Sequence, residues 1–248
     1  MDVPTGTDGA ADPRMNEAYL GECDGGPDEG DVVVVGVAHD HPASQYRVRR
    51  VVEAVAPETL ALELPPLALP LFERYADDEA APPTRGGEMS AAIQATDDAR
   101  VVGVDGPTAG FARRLLRTLA AERAAPPTVL SSLRGLASVA KHAAACRLAA
   151  TASRLSGREF AVDSATAAYD VGPGDAPEAQ AENERRQVRR AQFVLQAFGS
   201  SRAGTLRDAT RDEHMAARLS TLRAEGDVVA VVGIDHLDPL VDLLDDRT

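Results

Sequence analysis

The sequence predicts an α/β protein with a mixed, mostly parallel central sheet and helices on both faces. Three observations carry this. Val32-Val33-Val34-Val35 and Val228-Val229-Ala230-Val231-Val232 are unbroken apolar runs, and strands buried on both faces of a parallel sheet read that way. Such runs alternate with segments of helical apolar spacing, as strand–helix–strand units require. Both valine runs also end in the same phrase, Gly36-Val37-Ala38-His39 and Gly233-Ile234-Asp235-His236. Open α/β sheets place their ligands just beyond such strand ends.

Taken in order, residues 1–30 are rich in Gly, Asp, Pro and Thr with few large apolar groups. They are expected to be a mobile acidic tail, unable to offset their own ordering entropy. Residues 31–248 are expected to form one domain, because no linker divides the strand-like runs. Order should start at Asp31 with the first strand. Ser44 is a plausible N-cap for a helix carrying Val48, Val51, Val52 and Val55, which Pro57 ends. Residues 59–64 (Thr-Leu-Ala-Leu-Glu-Leu) read as the next strand, stopped by Pro65-Pro66. Short helices are expected over 69–75 and 89–98, and a third strand over 100–105, ended by Gly106-Pro107. Residues 111–123 form an amphipathic helix, 131–152 an Ala/Leu-rich helix and 159–163 a short strand. A long charged helix over 178–198 carries an apolar stripe through Val188, Ala191, Val194 and Leu195. A helix over 206–222, the last valine strand and a helix over 238–244 complete the chain.

Composition narrows the function classes. The formal charge is −13 and the pI about 4.8, so nucleic acid and anionic membranes are poor partners. Lys141 is the only lysine. An acidic, lysine-poor chain resembles the cytoplasmic proteins of salt-accumulating archaea, although a GC-rich genome produces a similar bias. Cys23 and Cys146 form neither a disulfide framework nor a metal spacing, which favours a reducing compartment. No run reaches the roughly 18 apolar residues of a spanning helix, and the N-terminus lacks the pattern of a secretory leader. A cytoplasmic protein is expected, its oligomeric state open, a homodimer included.

The chemistry-bearing candidates are few. A single G-x-x-H histidine is ordinarily a loop residue or a polar cap. Two that follow matched valine runs, His39 and His236, suggest one shared site. Glu63 lies between leucines just before Pro65. It either alternates onto a solvated face or, in a central strand, needs a partner, because an isolated buried carboxylate is costly. Asp105 has the same placement, although Asp-Gly-Pro is also a natural turn. Taken alone, Arg211 reads as a salt-bridging helix arginine and His214 as a surface residue. His39-x-His41 fits a single metal only if the chain stays extended past Pro42.

The ordered series Gly36-x-x-His39, residues 54–64 (Ala-Val-Ala-Pro-Glu-Thr-Leu-Ala-Leu-Glu-Leu) and Val102-Gly103-Val104-Asp105 resembles the TraB/PrgY family. The helix Arg211-Asp-Glu-His-Met215 followed by the second G-x-x-H strand extends the resemblance over roughly residues 31–240. It implies a fold shared with the TIKI metallopeptidases and, more distantly, with the erythromycin esterase and ChaN-like proteins. In that group paired histidines and a strand-borne glutamate build a site, and TIKI proteins use a divalent metal to cleave peptides. Bacterial members limit peptide pheromone activity. The chain departs from the pattern at Asp105-Gly106-Pro107, where an arginine usually follows the aspartate. It also carries Asp235 where a small residue is common, and it has no C-terminal hydrophobic region.

The resemblance implies a metal-dependent hydrolase acting on a peptide or another amide. His39, His236 and Glu63 would be the metal ligands, with Glu63 and Arg211 as the catalytic groups. Histidine and carboxylate suit Zn, Mn, Fe or Co, so the sequence does not select the metal. A non-catalytic regulator or small-ligand binder built on the same residues is the other reading.

Overall fold

The computed structural model describes residues 12–157, 160, 162, 168–199 and 201–246. Its centre is a five-stranded sheet in the order β1-β2-β5-β3-β4. The strands are β1 (Leu20–Cys23), β2 (Val32–Val37), β3 (Thr59–Leu62), β4 (Arg100–Gly103) and β5 (Val228–Gly233). All neighbours run parallel except β1, which pairs antiparallel with β2. The sheet is therefore mixed and mostly parallel, as expected.

Every residue of β2, β3 and β5 is buried, which is why their sequences show no polar alternation. Side chains still alternate between two cores. Val33, Val35, Leu60, Leu62, Val229 and Val231 face one, covered by α1 (Pro42–Val55) and α3 (Gly87–Gln94). Val32, Val34, Ala61, Val228, Ala230 and Val232 face the other, covered by α7 (Arg202–Leu222) and α8 (Ile234–Asp245). Each fully buried Val or Leu contributes roughly 1.5–3 kcal/mol, so the two apolar faces hold the strand ends in place. The remaining helices are α2 (Leu69–Ala76), α4 (Ala109–Ala121), α5 (Pro126–Ser156) and α6 (Pro177–Phe198). No helix of the described residues is long and apolar enough to cross a membrane.

Several expectations are corrected. Order does not wait for Asp31: a short 3-10 turn at Glu17–Tyr19 leads into β1, and Met15, Tyr19 and Cys23 are buried. This segment is ordered by the open edge of β2, a tertiary partner that its own composition does not announce. Residues 1–11 lie outside the described set. The cap of α1 is His41, whose Nδ1 accepts from Ala43 N, three residues ahead of the expected Ser44. Of the apolar stripe on α6, Val188 is half-buried and Ala191 is exposed. Gln180, Ala181, Asn183 and Glu184 are buried, whereas Val194 is exposed. The reason is the buried Arg47 of α1, whose guanidinium pairs with Glu184 and also donates to Gly36 O at 3.0 Å. Ser44 Oγ donates to the same carboxylate. The strand expected over 159–163 falls, apart from Phe160 and Val162, outside the described residues. Helix α8 starts directly after β5, four residues earlier than its apolar spacing suggested.

Candidate functional site

Because β2, β5 and β3 are neighbours, residues remote in sequence emerge side by side at one rim of the sheet. His39 follows β2, Glu63 follows β3, and Gly233 ends β5 and opens α8, whose first turn carries His236. These residues line one cleft of about 530 Å³ together with Asp40, Tyr169, Arg211 and Asp235. One wall is α6, through Gln187, Val188 and Ala191.

The two glycines of the repeated phrase have separate jobs. A Cβ on Gly36 would sit 2.8 Å from Ile234 Cδ1, so its absence lets α8 start against the sheet. A Cβ on Gly233 would lie 3.3 Å from His39 Nε2 and 3.5 Å from Glu63 Oε2. Those two groups therefore face the cleft across a bare backbone. The Gly233 N–H donates to Glu63 Oε2 at 2.6 Å.

His39 is held from behind. Its Nδ1 lies 2.7 Å from Glu88 Oε1, and the Asp40 N–H donates to Glu88 Oε2 at 2.8 Å. Glu88 is buried, yet 61% of the His39 side-chain surface is accessible. The Glu88 hydrogen bond outweighs burial and, with the charges of Glu88 and Glu63, raises the His39 pKa to about 9. At neutral pH the ring is an imidazolium with Nε2 toward the cleft. Tyr169 donates to the His39 carbonyl at 2.6 Å and packs edge-on against His41.

The other half of the site is a closed polar network. Arg211 on α7 binds Asp105 through Nε at 3.2 Å and Nη2 at 2.7 Å. Nη2 also binds Glu63 Oε1, and Nη1 lies 3.1 Å from His236 Nε2. Burial opposes the Arg211 charge, but Asp105 and Glu63 raise its pKa overall. His236 Nδ1 meets Asp212 Oδ1 at 2.5 Å. Burial works against its protonation too, yet the Asp212 hydrogen bond and the Glu63 charge raise its pKa on balance. As the neutral tautomer His236 accepts from Arg211 through Nε2. As the imidazolium it faces Glu63 Oε1 at 3.4 Å.

The expected metal ligands thus share a cleft but not a point. A bound metal needs lone pairs aimed at one centre about 2.0–2.2 Å away. His236 already spends both nitrogens on Asp212 and Arg211, and the Glu63 oxygens go to Arg211 and Gly233. The Arg211 guanidinium fills the space among Glu63, Asp105 and His236. Among the described residues no group of three His, Cys, Asp or Glu side chains is arranged to hold a metal ion.

Other candidates fall elsewhere. His41 is fully buried and bonds Asn183 through Nε2 at 3.3 Å, so the extended His39-x-His41 pair does not form. Burial lowers its pKa. His214 is not on the surface; it packs edge-on to Phe111 and bonds Thr108 at 3.2 Å. Asp105 supports Arg211 rather than lining the cleft. Asp235 is exposed at the mouth. Two partners were missed in the sequence, Glu88 and Asp212. The Gly86-Gly87 pair before Glu88 was the available signal. Both glycines have positive φ (79° and 53°), and a Cβ on Gly87 would meet Asp40 Oδ1 at 2.2 Å. Only glycine lets that turn press against the His39 loop. Asp212 adjoins Arg211 but carries no signal of its own.

No protein-family model, no curated protein and no solved structure matches the chain.

Proposed function

We propose that this protein is a hydrolase of TraB/PrgY type that cleaves a peptide or another amide bond in the cytoplasm. The observation that carries the reading is the His39–Glu88 pair, with Nε2 of the ring open to a cleft and the Glu63 carboxylate across from it. Amide hydrolysis needs a proton for the departing nitrogen and a base for the attacking water. His39, protonated at neutral pH and fixed through Nδ1, is suited to the first task. Glu63 is assigned the second, through the lone pairs that Arg211 and the Gly233 N–H leave on its two oxygens. Arg211 supplies positive charge beside a developing oxyanion, and Asp105 fixes its orientation. The two free cysteines, Cys23 and Cys146, support a reducing compartment.

The resemblance implies a divalent ion, but the donor set does not fit one, because Arg211 occupies the space among Glu63, Asp105 and His236. A second reading, a small-ligand binder without turnover, is favoured by one observation. The charges of Arg211, Glu63 and Asp105 already satisfy one another.

Mass spectrometry of a mixed peptide pool separates these readings. The protein, stripped with chelator, is compared with protein given Zn, Mn, Fe or Co and with the His39→Gln and Glu63→Gln variants. Chelator-resistant cleavage that falls at least about a hundredfold in His39→Gln is the expected result. Cleavage that needs added metal would restore the metallohydrolase. Peptide retention without cleavage would establish the binder, and cleavage untouched in both variants would overturn the proposed site.

A further inference from the structure

A second cavity of about 280 Å³ lies between the first turns of α1 and the loops at 81–82 and 173. It concentrates positive charge in a chain whose acids outnumber its bases, 39 to 26. Arg14, Arg49 and Arg50 line it, and Glu53 is the one acid among its described lining residues. Arg14 is fixed in advance. Asp12 binds its Nε at 2.8 Å and Nη2 at 2.6 Å, and its guanidinium lies 3.4 Å over the centre of the Tyr46 ring. Buried Gln180 stands 3.5 Å from Nη1 and is itself locked by donating to Pro173 O and Asp175 O. The other two guanidiniums share one carboxylate, Arg50 at 3.1 Å from Glu53 and Arg49 at 3.7 Å. Their side chains are 27% and 51% exposed for Arg49 and Arg50, so neither bridge is strong.

We infer that this cavity is a binding site for a small oxyanion-bearing metabolite, a phosphate ester or a carboxylate. Arg49 and Arg50, under-compensated by their one carboxylate, supply the charge that oxyanions select, and Arg14, whose charge Asp12 already meets, adds its Nη1 as a fixed donor. Ordering Arg14 beforehand lowers the entropy lost on binding. The rest of the wall is apolar, from Pro82, Ala81 and Pro173, and receives the body of the ligand. The volume lies just under the usual range of ligand pockets, about 300–1,000 Å³, which excludes a bulky occupant. The inference does not depend on the chemistry of the cleft.

Calorimetric titration with phenyl phosphate and with phenylacetate, at fixed ionic strength set by chloride, tests it. Saturable binding of at least one probe is expected, weakened tenfold or more in the Arg49→Ala/Arg50→Ala variant. Phenyl phosphate alone would identify a phosphate site, and both probes a general oxyanion site. The two arginines are surface groups, and an unchanged melting temperature for the variant verifies its fold. Arg49→Lys/Arg50→Lys, which keeps the charge, should bind more tightly than the alanine pair. No saturable binding by either probe, or equal binding by wild type and the alanine pair, overturns the inference.

Discussion

Replacing Glu88 with glutamine removes the buried charge that bonds His39 Nδ1 and does most to favour the protonated ring. Glu88 is 2% exposed, and glutamine preserves its volume and an acceptor for the Asp40 N–H. The Glu88 hydrogen bond is the first cause of the His39 pKa standing at about 9. Full relaxation to about 6.5 would correspond to roughly 3 kcal/mol. The His39 side chain is 61% accessible, so solvent screening leaves about 1 kcal/mol, a fall of roughly one pKa unit. A pKa raised by folding stabilises the native state fully below about pH 6.5, and that stabilisation is lost as pH rises through about 9. The variant should therefore be weakest relative to wild type in mild acid and approach it in alkali. NMR titration of the His39 ring, with urea unfolding at both ends of the range, measures both quantities. His39 titrating at the same pH in the two proteins would refute the reasoning.

Three further outcomes are expected. Glu184→Ala leaves the fully buried Arg47 guanidinium unpaired and should cost about 3–5 kcal/mol; thermal unfolding checks this, and a loss under about 1 kcal/mol would mean water replaces the carboxylate. His41→Ala removes the cap of α1, costing about 1–2 kcal/mol in urea unfolding, while the turnover proposed for the cleft should be unaffected because His41 does not line it. With a net charge of −13, the melting temperature should rise in molar KCl as self-repulsion is screened; a flat response would show that the acidic surface is not a stability determinant.

Sequence patterning reveals most where the chain is buried on both faces. The valine runs of β2 and β5 declare themselves, and the shared G-x-x-H phrase already pointed to His39 and His236 at one rim. Glu63 stood out because a carboxylate among leucines needs a partner. What stayed hidden was supplied by tertiary contact. Strand β1 exists because β2 has an open edge. The polar buried face of α6 exists because Arg47 needs Glu184, which apolar spacing does not announce. The role of Arg211 was similarly obscured, since nothing local indicates that one guanidinium will gather Glu63, Asp105 and His236 around itself.

The pairing of Val32–Val37 with Val228–Gly233 also bears on biosynthesis. The cleft cannot assemble before β5 has been made, because its two histidines follow strands, β2 and β5, that lie far apart in the sequence. Until then the valine edge of β2 has only β1 beside it and must wait for its long-range partner. Contacts so distant along the chain close slowly and leave sticky edges exposed in the meantime. Nascent fragments ending before β5 therefore expose the valine edge of β2 and lack the cleft.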